Sequence, residues 1–599
     1  MTSHTPVTAR LERAVTDGAE ALFAARRDDG VVDPGGDRFS PANTAAVLVA
    51  LHAARAHSGA GPHGAAAELH EQAVKRLYAT QRPDGGWAMD GVPTETLTTS
   101  VVASALALTA PDTSRTAVAA ARALVRSRGG AEGLPEPAMA GLVRQFEAMS
   151  GARDPASLPR LPLELLLAPG LARRTLSLRL PIFSALALGQ SVRRGRDGLG
   201  GRVDKAIRPR AAAVVREAFE RERSVGSFSG DPWLTSLITL GVARAESEPD
   251  IVRAATDWLS DRALPGGGWA LMPLDITWSS FAGAALLEAG YAADPRLVPV
   301  RDMFRKRQQD VPFTALACPE GHWGFSTDRS WPMALETAEI SSLLRRLPGG
   351  AADPYARRGI RWLTTMQDRS GSWSLAVRDS RPGGFGPCPQ MTAKAVLALL
   401  ECGAGLTDPR VLKGLRSLAR KQRSDGALEA MWYRGLTPGT SAALVAFARA
   451  GRGGSEPARR ARDFLLRGRL PDGSWGTGGH DPGAVPGTVT GTDGPDGSGG
   501  TVEETAWALH ALLAAGEAPD SGPVVAAARW LLDRQETDGS WPGSAVNEYV
   551  RHCYRYPDRV LATALAVKAL GRLRTAAGAG TGAGAGATGA AGRGKAGTA

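Results

Sequence analysis

Two kinds of apolar pattern alternate along this chain. Stretches such as Asp353–Gln367, "DPYARRGIRWLTTMQ", and Val524–Gln535, "VVAAARWLLDRQ", carry apolar residues on one helical face and charges elsewhere. Stretches such as Thr392–Gly403, "TAKAVLALLECG", and Glu504–Gly516, "ETAWALHALLAAG", are apolar on nearly every side. A helix with one apolar face lies at a surface, whereas a helix apolar all round is enclosed. Between the two kinds a short turn recurs: "QRPDGGW" (Gln81–Trp87), "QDRSGSW" (Gln367–Trp373) and "QETDGSW" (Gln535–Trp541). Weaker copies end at Trp269, Trp323 and Trp475, and "QRSDGAL" from Gln422 keeps the turn without the Trp. Asp-Gly or Ser-Gly supplies a tight turn. The Gln side chain bonds backbone groups at a helix end, and the Trp packs as a large apolar plate. These copies read as structural clamps, not as sites.

Alternating outer and inner helices predict an all-α fold, a double (α/α) barrel with a cavity; a plain superhelical solenoid is the competing geometry. The copies fall in two zones. Residues 1–250 are expected to form an N-terminal barrel domain with an irregular insert at about 150–225, completed by later helices or by a crossover segment from a chain terminus. Residues 251–574 form the C-terminal barrel domain, and the Gly/Ala-rich tail 575–599 is expected to be disordered. The Gly-rich segment His480–Gly500 reads as a surface loop.

Composition narrows the class. An apolar fraction of 43% excludes wholesale disorder, and aromatics at 6% promise few rings beyond those in the clamps. Lys and Arg number 71 against 60 Asp and Glu, which favours anionic neighbours such as phosphates or a membrane surface. The four cysteines (Cys318, Cys388, Cys402, Cys553) form no Cys-x-x-Cys pair, against a disulfide framework or zinc site. The first residues lack a signal-peptide core, and no apolar run is long enough to span a bilayer. A cytoplasmic location is expected, with peripheral attachment to the inner face of the membrane as the alternative.

The Gln-x-x-Asp-Gly-x-Trp copies resemble the QW motifs of the squalene–hopene and oxidosqualene cyclases, the class II terpene cyclase family, and the likeness runs through roughly residues 12–574. "DFLLRGRLPDGSWG" and "MWYRGLTPGTSAALVAFARAG" are similar to stretches of the same family. The resemblance implies two (α/α) barrels enclosing a cavity for a long isoprenoid, with no cofactor; Mg2+ enters only if the substrate is a diphosphate. In "WGFSTDRSWPMALETAEISSLL" (Trp323–Leu344), the family's Asp-x-Asp-Asp acid motif is replaced by Met333, Ala334, Leu335 and Glu336. Leu335 stands where the proton donor would be, so Glu336 is the catalytic candidate. The stretch "CPQMTAKAVLALL" places Gln390 and Lys394 where the family has groups supporting the acid. On that correspondence Lys394 approaches Glu336 and lowers its pKa.

The resemblance therefore implies a cyclase-like protein acting on a linear triterpene or prenyl diphosphate by non-standard initiation. Lys394, Gln390 and Asp275 are the polar substrate-binding candidates, and Trp278 and Trp432 would steady positive charge. A non-catalytic isoprenoid carrier and a protein-binding helical repeat remain alternatives. Glu503 and Glu504 either pair as carboxylates at a cavity mouth or dress a helix N-terminus. The acidic turn Asp28–Asp33 and the P-loop-like Gly589–Lys595 carry no complete motif. The basic stretch Arg193–Arg210 suits anionic headgroups or a diphosphate, and nothing in the chain points to nucleic acid.

Overall fold

The alternation of enclosed and one-faced helices in the sequence becomes, in the computed structural model, two rings of paired helices. The structure describes residues 5–58, 65–195, 198–326, 329–381, 385–476 and 499–586. The first half contains α1 (Thr5–Ala24), α2 (Pro41–Ser58), α3 (Ala65–Ala79), α4 (Thr96–Thr109), α5 (Arg115–Ser127) and α6 (Pro137–Met149). It continues through α7 (Pro169–Leu176), α8 (Leu180–Arg194), α9 (Gly198–Glu222), α10 (Pro232–Arg244) and α11 (Pro249–Asp261). The second half begins with α12 (Asp275–Glu288), α13 (Leu297–Arg307), α14 (Ala334–Arg346), α15 (Pro354–Met366), α16 (Pro389–Glu401) and α17 (Pro409–Lys421). It ends with α18 (Thr437–Arg449), α19 (Glu456–Arg467), α20 (Val502–Ala514), α21 (Gly522–Leu532) and α22 (Arg559–Gly586). A short antiparallel hairpin, β1 (Asn547–Val550) and β2 (Tyr554–Tyr556), precedes α22 and bulges between Glu548 and Val550.

In the second half α12, α14, α16, α18, α20 and α22 pack each against the next, and α22 returns to α12, so the inner ring closes. In the first half α8, α10, α2, α4 and α6 follow one another in the same way. Inner helices such as α10 and α12 bury nearly every residue. Outer helices bury one stripe: in α17 the buried side comprises Val411, Gly414, Leu415 and Leu418, one helical face.

The repeated turn ties the two layers together. The indole N–H of Trp373 donates to the carbonyl of Leu363 on the outer helix before it (2.8 Å), and its backbone N–H donates to Thr392 Oγ on the inner helix after it (3.1 Å). Trp87, Trp269, Trp475 and Trp541 make the same pair of bonds, to Leu77 and Thr99, Leu259 and Thr44, Leu465 and Thr505, and Leu531 and Thr563. Gln367 donates both to Gly371 O in its own turn and to Arg410 O on the next outer helix, each at 3.0 Å. Positive φ at Gly371 (88°) fits glycine alone, since its missing Cβ would strike the Lys413 carbonyl.

Three expectations change. The helix α1 belongs beside α22 and α21, on the outside of the second ring, although its residues lie within the 1–250 unit read from sequence. Gln535 Nε2 donates to Ala14 O (2.9 Å), the same bond that joins neighbouring outer helices elsewhere. The 150–225 insert is largely helical, with α8 in the inner layer. Its prolines at 169 and 181 sit in first turns, where a missing N–H costs no helical hydrogen bond. Finally α22 continues to Gly586, although this stretch alternates Ala with the poor helix former Gly. Residues 587–599, with the P-loop-like stretch, and most of the loop His480–Gly500 lie outside the described residues.

Trp373→Ala is expected to lower unfolding free energy by about 3–5 kcal/mol, and Thr392→Val by about 1–2 kcal/mol, in urea titrations followed by circular dichroism. Equal small losses from both would contradict the clamp.

Candidate functional site

The N-terminal ends of α10, α12, α14 and α22, with the β-hairpin and the segment Met431–Tyr433, surround a chamber of about 170 Å3. The hairpin is locked against that segment by Glu548 N–H to Trp432 O (2.9 Å) and Arg434 N–H to Val546 O (2.8 Å). Its walls are mainly apolar and aromatic. Ten rings line it: Trp233, Trp278, Phe281, Phe325, Trp331, Phe385, Trp432, Tyr433, Tyr549 and Tyr556. The scarcity of rings expected from composition is therefore reversed locally, because the fold gathers ten aromatics that are not clamps around this one space.

Glu336 is the third residue of α14 and opens into the chamber beside Met333 and Leu335. It is 5% exposed. Thr277 Oγ donates to Glu336 Oε1 at 2.8 Å, while Oε2 has no hydrogen-bond partner. Burial pushes its pKa up to about 7, against the opposing pull of Thr277 and of the backbone N–H at the helix start. The carboxyl is therefore held toward its protonated form near neutrality.

Four further acids line the chamber: Glu136, paired with Arg179, Glu548, 3.8 Å from Arg555, and the two helix-start carboxylates Asp231 and Asp558. Asp231 caps α10 by accepting from Trp233 N–H (2.8 Å) and receives the Tyr549 hydroxyl at 2.5 Å. Burial raises it to about 6, and the Tyr549 bond works against the rise. Asp558 accepts the indole N–H of Trp278 (2.6 Å) and the N–H of Leu561 at the start of α22 (2.9 Å). Burial raises its pKa also, opposed by the Arg38 guanidinium that lies 4.5 Å above the Trp278 ring. Arg179 and Arg551 are the cations of the lining; Arg179 pairs with Glu136 and Arg551 with Glu429.

Of the residues singled out from sequence, Glu336, Trp278 and Trp432 line this chamber. Lys394, Gln390 and Asp275 do not. Lys394 pairs with Glu339, one helical turn deeper than Glu336, so it does not hold Glu336 ionised. Burial works against the charge of Glu339, but Lys394 and Lys568 keep its pKa below the ordinary value. The correspondence read from sequence was offset by that turn: Lys394 is the sixth residue of α16, level with the sixth of α14. Gln390 and Lys394 line a separate lumen inside the second ring. Asp275 is the first residue of α12, its carboxylate accepting the N–H of Ile276 (3.1 Å) and lying near Arg27.

Glu503 and Glu504 dress a helix start: Glu504 joins Thr501 in a reciprocal cap of α20, and Glu503 accepts Ser544 N–H at 2.8 Å. The acidic turn at 28–33 folds onto Arg27 at the surface. In the basic stretch Arg193 and Arg194 donate to the carbonyls of Arg244, Leu158 and Ala156. Asp231 and Asp558 were missed, although each begins an inner helix in "GDPWL" and "PDRVL". An acid at an inner-helix start was the available signal, but one shared by Asp275, Glu503 and Glu504, which lie outside the chamber.

A family model described as the squalene-hopene cyclase N-terminal domain matches residues 63–177, and one described as the squalene-hopene cyclase C-terminal domain matches residues 386–550. Glu336 lies between the two matches. The squalene–hopene cyclase of Bradyrhizobium diazoefficiens is 27% identical over 374 residues, 56% of this chain and 55% of that protein. The squalene–hopene cyclase of Alicyclobacillus acidocaldarius is 27% identical over 399 residues, 58% of this chain and 61% of that protein. A drimenyl diphosphate synthase of Streptomyces showdoensis is 25% identical over 295 residues, 47% of this chain and 48% of that protein. The chain thus spans roughly half the length of the curated relatives it matches. The ent-copalyl diphosphate synthase from Streptomyces platensis shares the fold at a TM-score of 0.56 and 17% identity, covering 95% of this chain and 99% of that one. Among the described residues no helix is long and apolar enough to cross a membrane. Both cyclase domain models matched in chain order, with curated squalene–hopene cyclases similar over more than half of the chain, place these stretches in the squalene–hopene cyclase, or class II terpene cyclase, family.

Proposed function

We propose that the protein encloses a linear isoprenoid in the aromatic chamber and cyclises it, with Glu336 as the proton donor and an oxygen-activated polyene, such as an epoxide, as the group protonated. One observation carries this reading: a buried carboxyl with one unpartnered oxygen opens into a chamber walled by ten rings. Each pKa unit is about 1.4 kcal/mol, so an acid near 7 gives up its proton about 3 kcal/mol less readily than an ordinary glutamic acid. That handicap disfavours protonation of an isolated alkene carbon. An epoxide oxygen offers a lone pair, and its ring strain is released as the C–O bond opens, so a weaker acid suffices. The carbocation formed is stabilised by the ring faces of Trp278, Trp331 and Phe325.

Asp231, pushed to about 6 and so mostly ionised at pH 7, supplies the matching base that takes the proton from the final cation. Staggered carboxylates of this kind divide acid from base by environment. Leu335, standing in the chamber where a second acid would help, supports the rival reading of a non-catalytic isoprenoid carrier. A prenyl diphosphate as substrate draws its support from Arg179 and Arg551 in the lining.

Glu336→Gln should reduce turnover of an epoxide-bearing polyene such as oxidosqualene by about 10^2–10^4-fold, measured by chromatography of extracts. Preferred turnover of squalene over oxidosqualene would overturn the epoxide assignment, and ligand retained unchanged in native mass spectrometry would establish the carrier. Because the acid form is required, kcat should be level below about pH 7 and fall tenfold per unit above it. Asp231→Asn keeps a good helix cap and should leave substrate consumption within a few-fold while diverting product from alkene to water-quenched alcohol.

A further inference from the structure

The second ring has a lumen of its own, of about 100 Å3, that runs among the inner helices toward their C-terminal ends. Phe281 lines both this lumen and the aromatic chamber, and so stands between them. The lumen has a different chemistry. Arg346, Lys394, Arg449, Lys568 and Arg572 face three acids, Glu288, Glu339 and Glu401. Burial and the nearby Lys568 keep His510 neutral, with a pKa of about 3; burial pulls the Lys568 pKa down as well, against the pull of Glu339 and Glu288, so the bases outnumber the acids by two when Lys568 carries its proton.

The pairing shows where the surplus sits. Lys394 is taken by Glu339, and Arg449 lies 3.7 Å from Glu401. Glu288 is shared by Arg346 at 3.0 Å and Arg572 at 3.4 Å. Lys568, in the middle of α22, makes no ion pair among the described residues. Ser441 and Gln390, each 2% exposed, carry side-chain oxygens without hydrogen-bond partners. Unpaired charge and orphaned polar atoms in one enclosed space are costly unless a ligand of opposite charge completes them.

We propose that this lumen binds a phosphate-type oxyanion, with Lys568, Arg572 and Arg346 as its counter-charges and the Ser441 hydroxyl as a donor. Two sources share that chemistry: free diphosphate, and the headgroup of a prenyl diphosphate whose hydrocarbon reaches the chamber past Phe281.

The test is isothermal titration of the full chain at low salt with inorganic diphosphate and, separately, with farnesyl diphosphate. Binding of either that weakens by about tenfold or more in Lys568→Met supports the site. Weakening for the free anion alone assigns free diphosphate, and weakening for the prenyl ester alone assigns the headgroup. If the wild type binds neither up to about 1 mM, or Lys568→Met binds both as the wild type does, the proposal is overturned. Should Lys568→Met fail to fold, Arg572→Gln at the lumen's rim answers the same question. Binding is read without turnover, so a failed cyclase assignment leaves this result standing.

Discussion

Everything in this molecule depends on one recurring constraint: a buried tryptophan that bonds backward to an outer helix and forward to a threonine on an inner one. Each turn thereby fixes the depth of the inner helix relative to its outer partner. Satisfying both the indole and the backbone N–H in an apolar interior leaves little freedom to slide, because a broken bond there leaves a buried donor unpaired. Held at common depth, the inner helices bring their first turns to the chamber, and those turns hold Asp231, Glu336 and Asp558.

The chamber then sets its own chemistry. Helix starts ordinarily favour carboxylate anions through their free N–H groups and dipole. Here desolvation outweighs that preference for Asp231, Glu336 and Asp558, and all three are shifted toward the neutral form. The opposite balance holds a few ångströms deeper in the second ring, where lysines and arginines keep Glu339 and Glu288 ionised despite burial. One helix, α14, carries both regimes, with Glu336 facing the oily space and Glu339 the ionic one.

The layered helical architecture was legible in the sequence because it rests on periodicity: α15 and α16 differ visibly in how much of their circumference is apolar. Glu336 was legible through the family motif it interrupts. The role of Lys394 was not, since a shift of one helical turn between neighbouring helices is invisible in a single chain. The aromatic wall was hidden for a related reason. Phe325, Phe385, Tyr433 and Tyr549 are scattered over the second half and converge only through loops and a hairpin whose shape no periodicity encodes. Nor did proline content signal helix in the 150–225 region, where Pro169 and Pro181 occupy first turns and Pro209 lies inside α9.

The docking of α1 onto α22 carries a consequence for how the protein is made. Ala14 and Gln535 are joined across 521 positions of sequence, so α1 finds its place only after the residues through α21 have followed it from the ribosome. At ordinary elongation rates that wait is on the order of a minute. Throughout it the apolar stripe of α1, including Leu11, Val15 and Leu22, has no native surface to cover it. Closure of the second barrel is thus a late, long-range event, and nascent α1 is a stretch that gains from a chaperone.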